Sequence, residues 1–274
     1  MEVFAWNPRH NNLPRPFTDR LVGPRTNNFG DLLGPLVVQA VCDREGLHRS
    51  APAGPGRLIT VGSVLHVARN HDVIWGSGIN PSVRTQRYRF TTLDVRAVRG
   101  PRSRAFLGDR GQEVPAVYGD PALLLPALFP MLVEWSATKK RALSVVPNLY
   151  DWSRYKSDPR VVNPRSGLWH VLRTIAQSER VIASSLHGVI VAEALGIPVT
   201  LLKGHEKPLK YQDYYEGTGR PMPPPATTLD EAIRRPAENP DLTGWKAAAL
   251  YQAFPTDLWD DNAISTGMIR TTAA

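Results

Sequence analysis

The stretch Val181–Leu202, VIASSLHGVIVAEALGIPVTLL, restricts the fold more than any other part of the chain. Val181–Ala183 is a short apolar run of strand type, and Ser184-Ser185-Leu186-His187-Gly188 is a polar loop. From Gly188 to Leu195 apolar residues recur at helical spacing, with Val189, Ala192 and Leu195 on one side and Ile190 and Ala194 beside it. Gly196-Ile197-Pro198 stops that helix, and Val199–Leu202 reads as the next strand. In an open α/β sheet such a unit places its loop at the carboxyl edge of the strand, where ligands bind. The loop also opens a helix, whose free N–H groups and positive dipole end favour an anion. A histidine there can give or take a proton beside that anion. The plainer alternative makes Ser184 a helix cap and His187 a solvated loop residue, and the segment alone leaves both open.

The rest of the chain repeats the pattern. Met1–Trp6, Leu58–Val61, Asp72–Trp75, Leu93–Val98 and Ala116–Tyr118 read as strands, and Leu32–Val41 as a helix holding Cys42 at its end. Asn7–Thr26 is a long Pro-, Arg- and Asn-rich loop, and Ala51–Gly56 is a Pro/Gly connector. Val64–Ala68 suits a helical turn, Ser103 begins a helix, and Ala122–Leu128 is an apolar helix or extended run. Pro130–Lys140 reads as a boundary, so the domains are expected at residues 1–133 and 134–262, with a frayed tail over 263–274. In the second half, Leu143–Val146 and Val161-Val162 read as strands, Leu168–Gln177 as an amphipathic helix, and Leu242–Phe254 as a closing helix. Lys210–Arg220 reads as a polar aromatic loop. Two parallel-sheet α/β domains facing across a cleft are the expected fold class.

At 274 residues the chain suits two domains of about 130 each. One cysteine excludes an internal disulfide, and His66 and His71 show no ligand spacing with nearby acids, so no metal is expected. No apolar run approaches the ~20 residues that span a bilayer, and the first ten residues lack the layout of a signal peptide. The cytoplasm is the expected compartment. A net charge of +8 points to an anionic partner. The arginines are scattered, with a mild concentration over Arg84–Arg110 and no basic block, so nucleic acid is not an expected partner.

Several local patterns suit chemistry. Asn28-Phe29-Gly30-Asp31 is a turn leading into a helix, with Asp31 either a cap or first-turn acid or a base. Gly76-Ser77-Gly78 follows a strand and lets backbone approach a ligand closely, although a plain turn explains it equally well. Arg96 and Arg99 lie near a strand's carboxyl end, where a guanidinium can fork onto a carboxylate or phosphate, or simply form a surface ion pair.

In order along the chain stand NFGD (28–31), GSVLH (62–66), WGSGIN (75–80), TLDVRAVRGPRSRAFL (92–107), VYGDPALL (117–124), SSLHG (184–188), AEALGIP (192–198), KYQDYYEGTGR (210–220) and AFPTDLW (253–259). Together these resemble the polysaccharide pyruvyl transferase family, in particular the ketal pyruvate transferases of the xanthan and succinoglycan types. The resemblance implies a fold like the two-domain GT-B glycosyltransferases. It also implies phosphoenolpyruvate as donor, no further cofactor, and a sugar of a lipid-linked oligosaccharide as acceptor, with peripheral attachment to the cytoplasmic membrane compatible with the positive charge. The family's S-x-L-H histidine falls on His187, and its V-R-x-x-x-S arginine and serine fall on Arg99 and Ser103. Many relatives carry an acid where this chain has Gly100.

On this reading His187 delivers a proton to the donor's methylene carbon, Arg99 holds its carboxylate or phosphate, and Asp31 takes a proton from an acceptor hydroxyl. Ser184, Ser185, Leu186 and Gly188 form the anion cradle around His187. Asn28, Gly76, Ser77 and Gly78 place the acceptor, while Arg96, Lys210 and Tyr214 contact substrate. Two rivals remain: a GT-B-type glycosyltransferase with a nucleotide-sugar donor, and a non-catalytic basic module for glycan or nucleic acid.

Overall fold

The computed structural model describes residues 2–8, 25–47, 56–236 and 238–259. The Ala51–Gly56 connector, most of the Asn7–Thr26 loop and the C-terminal tail therefore lie wholly or mostly outside the described residues.

Strands β1 (Glu2–Phe4), β2 (Arg57–Ile59), β3 (Val73–Trp75) and β4 (Asp94–Ala97) form a parallel sheet in the order 1-2-3-4. Helix α1 (Phe29–Glu45) makes the first crossover, and short 3-10 turns lie in the next two. After β4 come α2 (Pro101–Gly108), a 3-10 turn at Pro121–Leu124, α3 (Leu125–Leu128) and α4 (Pro130–Ala137). A second parallel sheet, β5 (Ser144–Val146), β6 (Val181–Ala183) and β7 (Val199–Leu201), carries α5 (Trp152–Tyr155) and α6 (Leu168–Ala176) between β5 and β6. Helix α7 (Leu186–Ala194) joins β6 to β7, and α8 (Leu209–Gly217), α9 (Leu229–Arg234) and α10 (Ala247–Gln252) follow. The strands read from sequence at Ala116–Tyr118 and Val161-Val162 are reduced to single bridges, Val98 with Tyr118 and Val145 with Val161.

Those bridges locate the second sheet's switch point. Val161 pairs beside β5 on the edge away from β6, whereas the next strand to form is β6 itself. The chain thus leaves β5 in one direction and β6 in the other, which opens a crevice at their carboxyl ends. The loop expected over Ser184–Gly188 is only Ser184 and Ser185, which emerge there and lead straight into α7.

One apolar cluster joins the two sheets. Phe29, Leu33 and Val37 of α1, Leu123 and Leu125 near α3, Val171 and Leu172 of α6 and Val189 and Ile190 of α7 all belong to it. Helix α1 packs on α6, and the Pro121–Leu124 turn packs on α7. The seam is closed by packed side chains along this line, as the near-continuous burial of α7 requires of its sequence.

One segment differs from its sequence reading. Lys210–Arg220 was expected to be a loop, and Leu209–Gly217 is a helix. Its polar residues Lys210, Tyr211, Asp213, Tyr214 and Tyr215 are buried; Lys210 pairs with nearby Glu206, and the other four are satisfied by partners distant in sequence. The closing helix, expected over Leu242–Phe254, is confined to Ala247–Gln252, because Asp241 caps a turn on Thr243 before it.

Candidate functional site

The β6 strand ends at Ala183, and Ser185 caps α7 by accepting the Gly188 N–H at 3.3 Å. His187 therefore sits in the first turn of α7, pointing into the seam. Four further elements meet it there. Gly30 of α1 lies against the ring so closely that a Cβ would overlap Nδ1. Asp120, on the turn before Pro121–Leu124, places Oδ2 3.8 Å from Nε2. Lys210 of α8 and Arg99 after β4 add positive charge.

This setting fixes the ring's protonation. Burial first, then Lys210 and Arg99, depress the His187 pKa to about 3, so the unliganded site holds a neutral imidazole. The two acids move the other way. Burial lifts Asp120 to about 6 against the Ala122 N–H, the Arg99 charge and the Gly62 N–H. Burial likewise lifts Asp31 to about 6, opposed by the Asn28 amide bond and Lys210. Lys210 is shifted downward by burial although it is ion-paired with Glu206. A neutral histidine beside two acids titrating near neutrality is an arrangement suited to moving one proton.

Arg99 is fully buried and tied to both halves. Its Nη1 donates to Ser63 Oγ at 2.6 Å, Nη2 to the Ile79 carbonyl at 3.2 Å, and Nε to Asp213 Oδ2 at 3.1 Å. Ser103 donates its hydroxyl and its backbone N–H to the same carboxylate, at 2.6 and 2.9 Å. Asp213, from α8, thus serves the arginine and serine of the V-R-x-x-x-S pattern together. The neighbouring Gly100 leaves room for this: a Cβ there would overlap the Asp213 carbonyl oxygen. Gly100→Ala is expected to push α8 outward and cost about 1–3 kcal/mol, read as a lower urea midpoint; an unchanged midpoint would show that α8 yields freely.

The glycines of Gly76-Ser77-Gly78 have a neighbour other than the expected ligand. A Cβ on Gly78 would overlap the Arg99 guanidinium, so the close backbone approach is to Arg99. Ser77 is buried and donates to the Gly62 carbonyl. Asn28 donates to Asp31 Oδ2 at 2.8 Å and precedes α1, with Asp31 a first-turn acid.

The remaining expected residues lie as follows. Ser184 Oγ donates to Asp151 at 2.8 Å and accepts the Asn148 N–H, which ties the carboxyl ends of β5 and β6 together. Leu186 is buried in the shared core. Tyr214 donates to Glu193 of α7 at 2.6 Å, in a cluster with Tyr215 and Arg220. Arg96 pairs with Asp94 and Asp257 on the surface. His187, Asp31, Arg99 and Lys210 are thus brought together, while Tyr214 and Arg96 bond elsewhere.

Three residues the sequence reading did not single out help to build the site: Asp120, Asp213 and Asp151. Asp120 carried the only legible signal, an Asp-Pro turn, and that signal is real, since it caps the turn through the Ala122 N–H. Beside the site, a groove of 460 Å³ runs between the halves, walled by Ile79, Asn80, Tyr88, Phe106, Lys207 and Gln212. Ile79 is common to the groove and to Arg99.

No solved structure matches the chain. A protein named "Succinoglycan biosynthesis protein ExoV", from Rhizobium meliloti (strain 1021), is 28% identical over 190 residues. That match covers 64% of this chain and 59% of the relative, so the chain spans under two thirds of that protein's length. The model of the polysaccharide pyruvyl transferase family matches residues 55–205, from the connector before β2 to just past β7. This span holds Arg99, Asp120 and His187, and the chain belongs to the polysaccharide pyruvyl transferase family.

Proposed function

We propose that the protein moves the pyruvyl group of phosphoenolpyruvate onto two hydroxyls of a sugar in an exopolysaccharide unit, forming a ketal and releasing phosphate. The observation that carries the reading is His187, which lies at a helix N-terminus inside the family-matched span with Arg99 and Asp120 and is joined there by Lys210 from outside it. The relative's name, with its succinoglycan biosynthesis, supports the saccharide class.

The donor is a small molecule with a carboxylate and a phosphate on an enol carbon. Its charge suits the field of Lys210, Arg99 and the α7 N-terminus. Protonation of the methylene carbon leaves an oxocarbenium-like centre. One sugar hydroxyl attacks it and gives its proton to Asp31, whose raised pKa of about 6 leaves it largely ionised at neutral pH and still basic enough to accept. Phosphate departs with its bonding pair, and the second hydroxyl closes the ring as its proton passes to the departing phosphate.

Arg99 keeps the Ser63, Ile79 and Asp213 ends of the seam in register and contributes charge from behind. The groove beside it suits the acceptor: Asn80 and Gln212 offer amides for a sugar's hydroxyls beside the apolar wall of Ile79 and Val83. His187, Arg99 and Asp120 are almost wholly buried, so a GT-B-like parting of the two sheets at the seam would admit the donor. No described helix is long and apolar enough to cross a membrane. A lipid-linked acceptor would therefore be met at the bilayer surface, where positive charge helps.

The test is phosphate release from phosphoenolpyruvate across a panel of glycosides, with mass detection of the product. The expected result is release that depends on the acceptor, with a mass gain of one pyruvate less one water. Transfer from nucleotide sugars instead, with phosphoenolpyruvate untouched, would overturn the assignment.

A further inference from the structure

Asp120 is only half accounted for by its turn. Oδ1 accepts the Ala122 N–H at 3.0 Å. Oδ2 is buried without a hydrogen-bond partner, and so is His187 Nε2, 3.8 Å away. Two orphaned polar atoms facing each other in a buried site are costly unless they share a proton. The opposite edge of the ring packs on the Gly30 backbone, where a Cβ would overlap Nδ1, so the parting of the seam that admits the donor must also free that nitrogen.

We propose that Asp120 and His187 form a proton-relay pair, in which Asp120 hands a proton to His187 Nε2 as His187 gives its Nδ1 proton to the donor. This rests on the reading of phosphoenolpyruvate as donor. In the step, the Asp120 O–H and the Nδ1–H bonds break, while an Nε2–H bond and a C–H bond on the methylene carbon form. The π pair of the enol makes the C–H bond. Asp120 ends as a carboxylate, and the ring changes tautomer without resting as an imidazolium. Asp120 touches no substrate; it is a positioning and proton-holding residue acting through His187.

The surroundings favour this route over a charged histidine. Around the ring stand Lys210 from α8, Arg99 after β4, and Asp31 from α1 with its amide partner Asn28. Burial and the two cations keep the imidazole neutral, so it is a poor resting acid. Asp120, facing Arg99, the Gly62 N–H and the Ala122 N–H, still holds its proton up to pH about 6.

Asp120→Asn, which has no acidic proton, tests the pair. Phosphate release should fall at least tenfold, and the loss of kcat/KM above pH about 6 should vanish. Asp120→Glu, which keeps the acid, should retain that limb. Nitrogen NMR of ¹⁵N-histidine-labelled enzyme without donor gives an independent readout. The His187 ring nitrogens should change tautomer near the same pH in the native protein and not in Asp120→Asn. A native spectrum flat across that range, or an Asp120→Asn enzyme with the native pH profile, would overturn the relay. A clear NMR transition with no consumption of phosphoenolpyruvate would instead leave the pair standing and remove the donor. If Asp120→Asn fails to fold, the native spectrum and Asp120→Glu decide.

Discussion

Arg99→Met should lower stability by about 3–5 kcal/mol, because it leaves the Asp213 carboxylate buried without its cation. Both side chains are fully buried, and Asp213 would keep only the hydroxyl and N–H of Ser103. The same change releases Ser63 and Ile79, so the loop after β2 and the loop after β3 lose their common anchor. Arg99→Lys should fall between, since a point charge can reach Asp213 but cannot serve three partners at once. The double variant Arg99→Met/Asp213→Leu should recover much of the loss by removing the stranded charge. Urea unfolding measures all three. A single Arg99→Met variant as stable as the native protein would mean that the pair does not hold the seam.

His187→Gln should reduce phosphate release by about a hundredfold or more while leaving the folding midpoint little changed. The separation follows from the structure. Nε2 stands 3.8 Å from Asp120 Oδ2, a glutamine amide can face that oxygen in its place, and burial with Lys210 and Arg99 keeps the ring uncharged. Acceptor and donor KM should move less than kcat, since Lys210, Arg99 and the α7 N-terminus remain to bind the anion. Near-native turnover in a folded His187→Gln protein would take the histidine out of the chemistry.

What the sequence disclosed, and what it hid, divides along a physical line. The β6–loop–α7 unit was legible because every signal in it is local: a β-branched run, two serines, a helical period and a Gly-Ile-Pro stop. That unit put His187 at the mouth of the helix, although the helix starts two residues earlier than expected, with Ser185 and not Ser184 as its cap. Helix α8 was illegible because its burial depends on distant partners. Asp213 answers to Ser103 and Arg99, and Tyr214 and Tyr215 answer to Glu193, so a stretch polar in sequence is interior in space. In sequence, Gly100 stands out only as a glycine where many relatives carry an acid. In the folded chain it is what lets Asp213 approach from the other half. Asp120 stayed hidden for a related reason. One carboxylate oxygen does the turn's work, which explains the residue fully at the sequence level, and only the second oxygen faces His187.

The most direct measurement is a crystal structure of the protein with phosphoenolpyruvate bound. The account predicts the ester in the seam, its methylene carbon within reach of a His187 ring nitrogen and its anionic groups toward Lys210 and the start of α7. An ester held elsewhere, with His187 still packed between Gly30 and Asp120 and touching nothing of it, would contradict the account.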